Sequence, residues 1–225
     1  MSIPSPHPLT APPSETLLRR EAALAPVPGR PDILAWQARD VFSLWQAWEK
    51  ESGAKQDVPY WATVWPAARL TAEYLGAHPE TAAGLCVLDL GCGSAIAGLA
   101  AGLAGAARVI VSDIDPFALW MAERNAAANG IALESGTGNL LDAPPSPDWN
   151  LILVADLFYE KSVAGPMLLW LGKARKQGSR VLIADGNRPF APKTGVVVLT
   201  EARFATDADL EGSSERAVRL LELTP

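Results

Sequence analysis

The sequence predicts a doubly wound α/β fold built on a mostly parallel, seven-stranded sheet. Three observations carry that expectation. Cys86-Val87-Leu88-Asp89-Leu90-Gly91-Cys92-Gly93-Ser94-Ala95 reads as a buried strand, a glycine turn and the entry to an Ala-rich helix running to about Leu103. Apolar runs and helical segments then alternate along the chain. The last two runs, Val196 to Phe204 and Arg216 to Leu223, have no helix-length stretch between them, so they should pair antiparallel.

Taken in order, Met1 to Pro13 holds five prolines and is expected to be flexible. Ser14 can cap a short helix over Thr16 to Leu24, with Glu15 in its first turn. Pro26 to Pro31 reads as a linker, after which Asp32 can cap a helix through Leu34, Val41, Leu44 and Trp48. Residues 1–57 therefore form an N-terminal extension, flexible and then helical, and residues 58–225 form the main domain. Trp36, Phe42, Trp45 and Trp48 are read as packing the extension onto that domain, with a substrate-facing role as the alternative. Val58 to Leu70 concentrates Tyr60, Trp61 and Trp65 between Pro59 and Pro66. This aromatic turn can wall off a ligand or be a packed hairpin; Pro66 then opens a helix reaching Leu75.

A second strand, Arg108 to Asp113, precedes Asp115-Pro116, a cap with proline in the first turn of a helix. That helix stops at Asn129-Gly130. Further strands are expected at about Ile131 to Ser135, Leu151 to Ala155 and Arg180 to Ala184, with a helix from about Ser162 to Lys176. The fourth strand ends at Asp156-Leu157-Phe158-Tyr159-Glu160.

Composition excludes several classes. An apolar fraction of 49% in 225 residues is ample for a core, and the net charge of −6 argues against nucleic acid bound through a broad basic face. Two cysteines and two histidines, none of them clustered, suggest neither a disulfide framework nor a metal site. No apolar stretch reaches membrane-spanning length and no targeting segment is evident, so the expected compartment is the cytoplasm.

The glycine corner points to a nucleotide-like cofactor. Gly91 permits the sharp turn and Gly93 lets a ligand approach the backbone, at the N-terminus of a helix. A third glycine is missing, since Ala95 stands near its place. Asp89 would repel a pyrophosphate but suit a ligand with an ammonium or sulfonium, and S-adenosylmethionine carries both. Asp113 lies 22 residues after Gly91, close to the ~20-residue spacing of a ribose-binding acid. The loop Gly138 to Asp142 should lie beside the adenine edge, with Asn139 and Leu140 as contacts or as a plain turn.

From Val58 to Phe190 the chain resembles the class I methyltransferases and, more narrowly, the lysine methyltransferases of the electron-transfer flavoprotein β-subunit. The matching pieces are Pro59-Tyr60-Trp61-Ala62 with Trp65-Pro66, Val87-Leu88-Asp89-Leu90-Gly91, Asp113-Ile114-Asp115-Pro116, Asp156-Leu157-Phe158-Tyr159, and Arg180 to Asp185 before Arg188-Pro189. Ala67 and Ala68 replace glycines frequent in that family, and Ser94-Ala95 shortens the glycine loop. The resemblance implies S-adenosylmethionine held by Trp65, Asp89, Gly91, Gly93, Asp113, Asn139 and Leu140. It implies a substrate lysine met by Trp61, Asp156 and Tyr159, and the flavoprotein β-subunit as partner. Another nitrogen nucleophile is the runner-up. A dehydrogenase is disfavoured by Asp89, and a non-catalytic adaptor by the intact acids and Tyr159.

Overall fold

The computed structural model describes residues 11–224. The expected flexibility of residues 1–10 lies outside that range. Seven strands form one sheet: β3 (Cys86–Leu90), β4 (Arg108–Asp113), β5 (Glu134–Thr137), β6 (Leu151–Ala155), β7 (Arg180–Asp185), β8 (Val196–Ala205) and β9 (Glu215–Leu223). Their order is β5-β4-β3-β6-β7-β9-β8. The first five are mutually parallel, and β9 runs antiparallel between β7 and β8. The doubly wound sheet and its antiparallel end are thus as expected from strand-helix alternation.

Helices cover both faces. On one lie α3 (Pro66–Ala77), α4 (Ile96–Leu103) and α5 (Pro116–Asn129); on the other lies α6 (Lys161–Lys176). Val87 packs toward the first layer and Leu88 and Leu90 toward the second, the alternation of a strand buried on both sides. All five residues of β3 are buried. A four-residue helix, α7 (Ala208–Glu211), turns the chain from β8 to β9.

The extension differs from its expected form. Ser14 does cap α1 (Glu15–Glu21), its Oγ accepting from the Leu17 N–H at 3.2 Å. The supposed linker and helix start are instead a hairpin, β1 (Ala22–Val27) and β2 (Arg30–Ala38), turning at Gly29 with φ 79°. Prolines at 26 and 31 disfavour a helix here, and Ile33 and Ala35 alternate inward as strand residues do. The helix α2 (Val41–Ser52) starts later, capped by Asp40 and not by Asp32.

Two asparagines of α5 join this hairpin to the main domain. Asn129 accepts from the Leu34 N–H at 2.8 Å and donates to the Leu34 carbonyl at 2.7 Å, so one side chain serves as the missing neighbour of an edge strand. The buried Asn125 accepts from the Trp36 N–H at 2.8 Å and donates to the Ser94 carbonyl at 2.9 Å. The extension is therefore bonded, through one amide, to the glycine turn. Leu17, Leu18, Trp36, Leu44 and Trp48 fill the seam against Trp61, Ala118 and Met121.

Candidate active site

The strand order reverses between β3 and β6, and ligands of open α/β sheets bind outside the carboxyl ends at such a point. There β3 runs into the glycine turn. Gly91 and Gly93 both have positive φ, 65° and 51°, but their surroundings differ. A Cβ on Gly91 would stand 2.4 Å from Leu157 Cδ1, whereas one on Gly93 would meet nothing within 4 Å. Gly91 is thus crowded by the Leu157 side chain at a positive φ, and Gly93 leaves backbone open to a ligand. Ala95 takes the left-handed conformation that a glycine would adopt freely, with φ 60°. The close helix-to-strand approach usual for a third glycine falls to Gly98, where a Cβ would stand 3.1 Å from Asp89 Oδ2.

Three carboxylates surround this turn, each held by backbone N–H groups. Asp89 Oδ2 accepts from Gly98 at 2.8 Å and is fully buried; desolvation pushes its pKa up to about 7, against the Gly98 bond. Asp113 accepts from Gly93 at 2.9 Å and from Asp115 at 3.0 Å, and burial raises its pKa too. Asp115 caps α5 through the Phe117 N–H at 2.8 Å, as its sequence context predicts, and burial pushes it up to about 6. Asp89 therefore faces the start of α4, a tie the sequence reading did not include.

The other side of the cleft is built from the ends of β6 and β7. Asp156 is 9% exposed and sits at φ 61°, a conformation costly for a residue with a side chain. Its two oxygens are both engaged by Arg188: Nε donates to Oδ1 at 2.7 Å and Nη2 to Oδ2. Asp185 accepts from the Arg188 N–H at 3.0 Å and so fixes where that side chain starts. Arg216 of β9 donates to the Gly186 carbonyl at 3.0 Å beside them. Tyr159 is 58% exposed; partial burial raises its pKa, helped by Tyr60, Glu160, Asp113 and Asp156. These neighbours bring the ends of β4 and β6 and the aromatic turn close together around Tyr159.

In the aromatic turn, Trp65 Nε1 donates to the Tyr60 carbonyl at 2.9 Å, and the two rings lie 5.6 Å apart. Tyr60 is 53% exposed. Trp61 is not a wall of this cleft: it is 1% exposed, with its ring 5.9 Å from Trp48 and 5.8 Å from Trp120. The expected substrate contact at Trp61 is therefore corrected to packing, because the strand-and-helix extension covers it. Asn139 caps a short turn through the Leu141 N–H at 3.1 Å, and Leu140 packs against the α6 layer. Sequence reasoning assigned no individual site role to Tyr60, Gly98 or Arg188. Tyr60 carried a signal as part of the aromatic turn, and Arg188 in the Asp-Gly-Asn-Arg-Pro run that follows a strand.

The residues present fit a cofactor with a diol. Gly93 leaves space and Asp113 presents a carboxylate beside it. The family described as lysine methyltransferase matches residues 46–194, from inside α2 to the loop before β8.

The chain belongs to the lysine methyltransferase family. Among curated relatives, the electron transfer flavoprotein beta subunit lysine methyltransferase of Danio rerio is 40% identical over 132 residues, 58% of this chain and 51% of that protein. The human protein of the same name is 33% identical over 144 residues, 63% and 55% of the two chains. The chain thus spans about half the length of these relatives. A ribosomal protein L11 methyltransferase of Aeromonas salmonicida is 39% identical over 103 residues, 41% of this chain and 33% of that one. The same fold is seen in a Pyrococcus horikoshii protein assigned as an RNA methyltransferase, with TM-score 0.57 and 19% identity over 76% of this chain and 89% of that one. In this member of the lysine methyltransferase family, no described helix is long and apolar enough to cross a membrane.

Proposed function

We propose that this chain is an S-adenosylmethionine-dependent protein-lysine N-methyltransferase acting on the β-subunit of electron-transfer flavoprotein. One observation supports it most: Gly93 leaves backbone open and is bonded to Asp113, and Asp113, Tyr60 and Asp156 all lie near Tyr159. The cofactor site and a carboxylate-and-phenol pair suited to an amine are thus adjacent. The substrate is taken from the relatives' names, and the cytoplasmic setting expected from the sequence belongs to the same proposal.

When bound, S-adenosylmethionine supplies an electrophilic methyl group on a sulfonium. The protein's tasks follow from that. Gly91 and Gly93 shape the turn, Asp113 would receive the ribose hydroxyls, Asp89 braces α4 and would lie beneath the amino-acid end, and Trp65 would back the cofactor. Asn139 and Leu140 would border the adenine edge. Asp156 accepts hydrogen bonds from the substrate's lysine nitrogen and aims its lone pair, and alignment of this kind supplies much of the rate. Tyr159 and Tyr60 close over the aliphatic stem and give a cation aromatic faces. Accepting that methyl would need the nitrogen's lone pair free, so a lysine ammonium would first have to release its proton to solvent. Tyr60 takes the wall position expected of Trp61.

The test is transfer of labelled methyl from S-adenosylmethionine to purified flavoprotein β-subunit of the same organism, with ribosomal protein L11 as competitor. Labelling of the flavoprotein lysine is the expected result. Labelling of L11 alone would move the substrate while leaving the reaction class in place.

A further inference from the structure

A bare carboxylate beside the substrate nitrogen would work against the reaction. An opposite charge within hydrogen-bond reach favours the charged form of an amine, typically by about 1–3 pKa units. The lysine would then bind tightly as an ammonium, which has no lone pair to give. Asp156 is not bare. Arg188 meets both its oxygens, the Arg188 backbone is tied to Asp185, and the Arg188 side chain is only 19% exposed. Resting on the reading of Asp156 given above, we propose that Arg188 is a positioning residue that neutralises Asp156, so that the site accepts hydrogen bonds from a lysine amine without holding it as an ammonium.

The geometry allows both partners at once. A carboxylate has about four lone-pair positions. The guanidinium fork takes one on each oxygen and leaves the outer ones for the lysine nitrogen. The fork also holds the carboxylate plane, which a single charge would not. Other charged and titratable groups lie near the pair. Asp185 of β7 interacts with Asp156, Arg216 of β9 lies beside Gly186 next to an Asp156 oxygen, and Tyr159, on the same loop as Asp156, is itself near Asp156, Tyr60, Glu160 and Asp113. Asp156 and Asp185 are thus set against Arg188 and Arg216. Burial raises the Asp185 pKa, against the bond from the Arg188 backbone.

The experiment compares wild type, Arg188→Gln, Arg188→Lys and Asp156→Asn in the full chain. Single-turnover methylation of flavoprotein β-subunit is followed from pH 6 to 9.5. Affinity for the unmethylated β-subunit is measured by calorimetry with S-adenosylhomocysteine present. For Arg188→Gln, the acidic limb of the rate profile should move up by about one unit, with rate regained at high pH. Its substrate affinity at pH 7 should rise several-fold while the rate falls. Arg188→Lys keeps the charge and loses the fork, so its limb should stay at the wild-type pH with a several-fold lower rate.

A structural role for Arg188 would lower rate and affinity together at every pH with the limb unmoved, and that result overturns the proposal. If Arg188→Gln does not fold, as judged by melting and by S-adenosylhomocysteine binding, Arg188→Lys decides: a limb displaced by a full unit overturns it, and an unmoved limb supports it. Asp156→Asn separates this inference from the reading beneath it. If that variant methylates like wild type, Asp156 is not the lysine acceptor and the functional reading of the site fails first.

Discussion

On the β3–β4 side of the cleft, Asp89, Asp113 and Asp115 are held by backbone N–H groups of Gly98, Gly93, Asp115 and Phe117. On the β6–β7 side, Asp156 is held by a guanidinium 32 residues further along the chain. The difference matters for robustness. A backbone donor survives almost any side-chain substitution, so the corner can carry Ala95 in a glycine's place and keep its shape. A guanidinium is lost by one mutation. The cofactor side is therefore a property of the backbone path, and the lysine side a property of particular side chains.

The largest expected effect breaks the side-chain half. Asp156→Asn should keep cofactor binding and lower turnover by about 100-fold or more, close to 3 kcal/mol of barrier, because alignment of the nitrogen is lost. Calorimetry with S-adenosylmethionine beside single-turnover rates checks it. Equal loss of both would show that Asp156 supports the whole cleft. Next is the backbone half. Asp113→Ala should weaken S-adenosylmethionine binding by roughly 1.5–3 kcal/mol, the range for hydrogen bonds to a charged group. Unchanged affinity would remove Asp113 from the site.

Gly91 and Gly93 sharpen the comparison within one turn. Alanine at either place carries a left-handed backbone cost of about 1–2 kcal/mol. Only Gly91→Ala also drives a methyl into Leu157, so it should melt lower. Gly93→Ala should melt nearer wild type yet bind S-adenosylmethionine more weakly. The reverse order, by melting and calorimetry, would mean the open face is not the cofactor's.

The smallest effect is on pH. Burial raises Asp89 to about 7 and Asp115 to about 6, so the folded protein binds these protons more tightly than the unfolded chain does. Keeping both ionised opposes folding above those values, and the penalty is relieved as pH falls through them toward the ordinary carboxylate range. The cofactor-free protein should melt somewhat higher near pH 5.5 than near pH 8. Asp89→Asn keeps an acceptor for Gly98 and should flatten that slope in scanning fluorimetry. A slope unchanged in the variant would place its origin elsewhere.

The sequence by itself determined the features that depend on near neighbours. The strand ends at Leu90, Asp113 and Ala155, the caps at Ser14 and Asp115, the glycine turn and the antiparallel close of the sheet were all legible, because periodicity and capping act over a few residues. The tertiary structure decided the rest. Trp61 looked like a cleft residue until the extension folded over it. The segment from Ala22 to Ala38 became a hairpin because α5 offers Asn125 and Asn129 as partners for its edge. Arg188 reached Asp156 only once β6 and β7 lay side by side. Such pairings join residues tens of positions apart, and nothing in a local pattern records which distant side chain a carboxylate will meet.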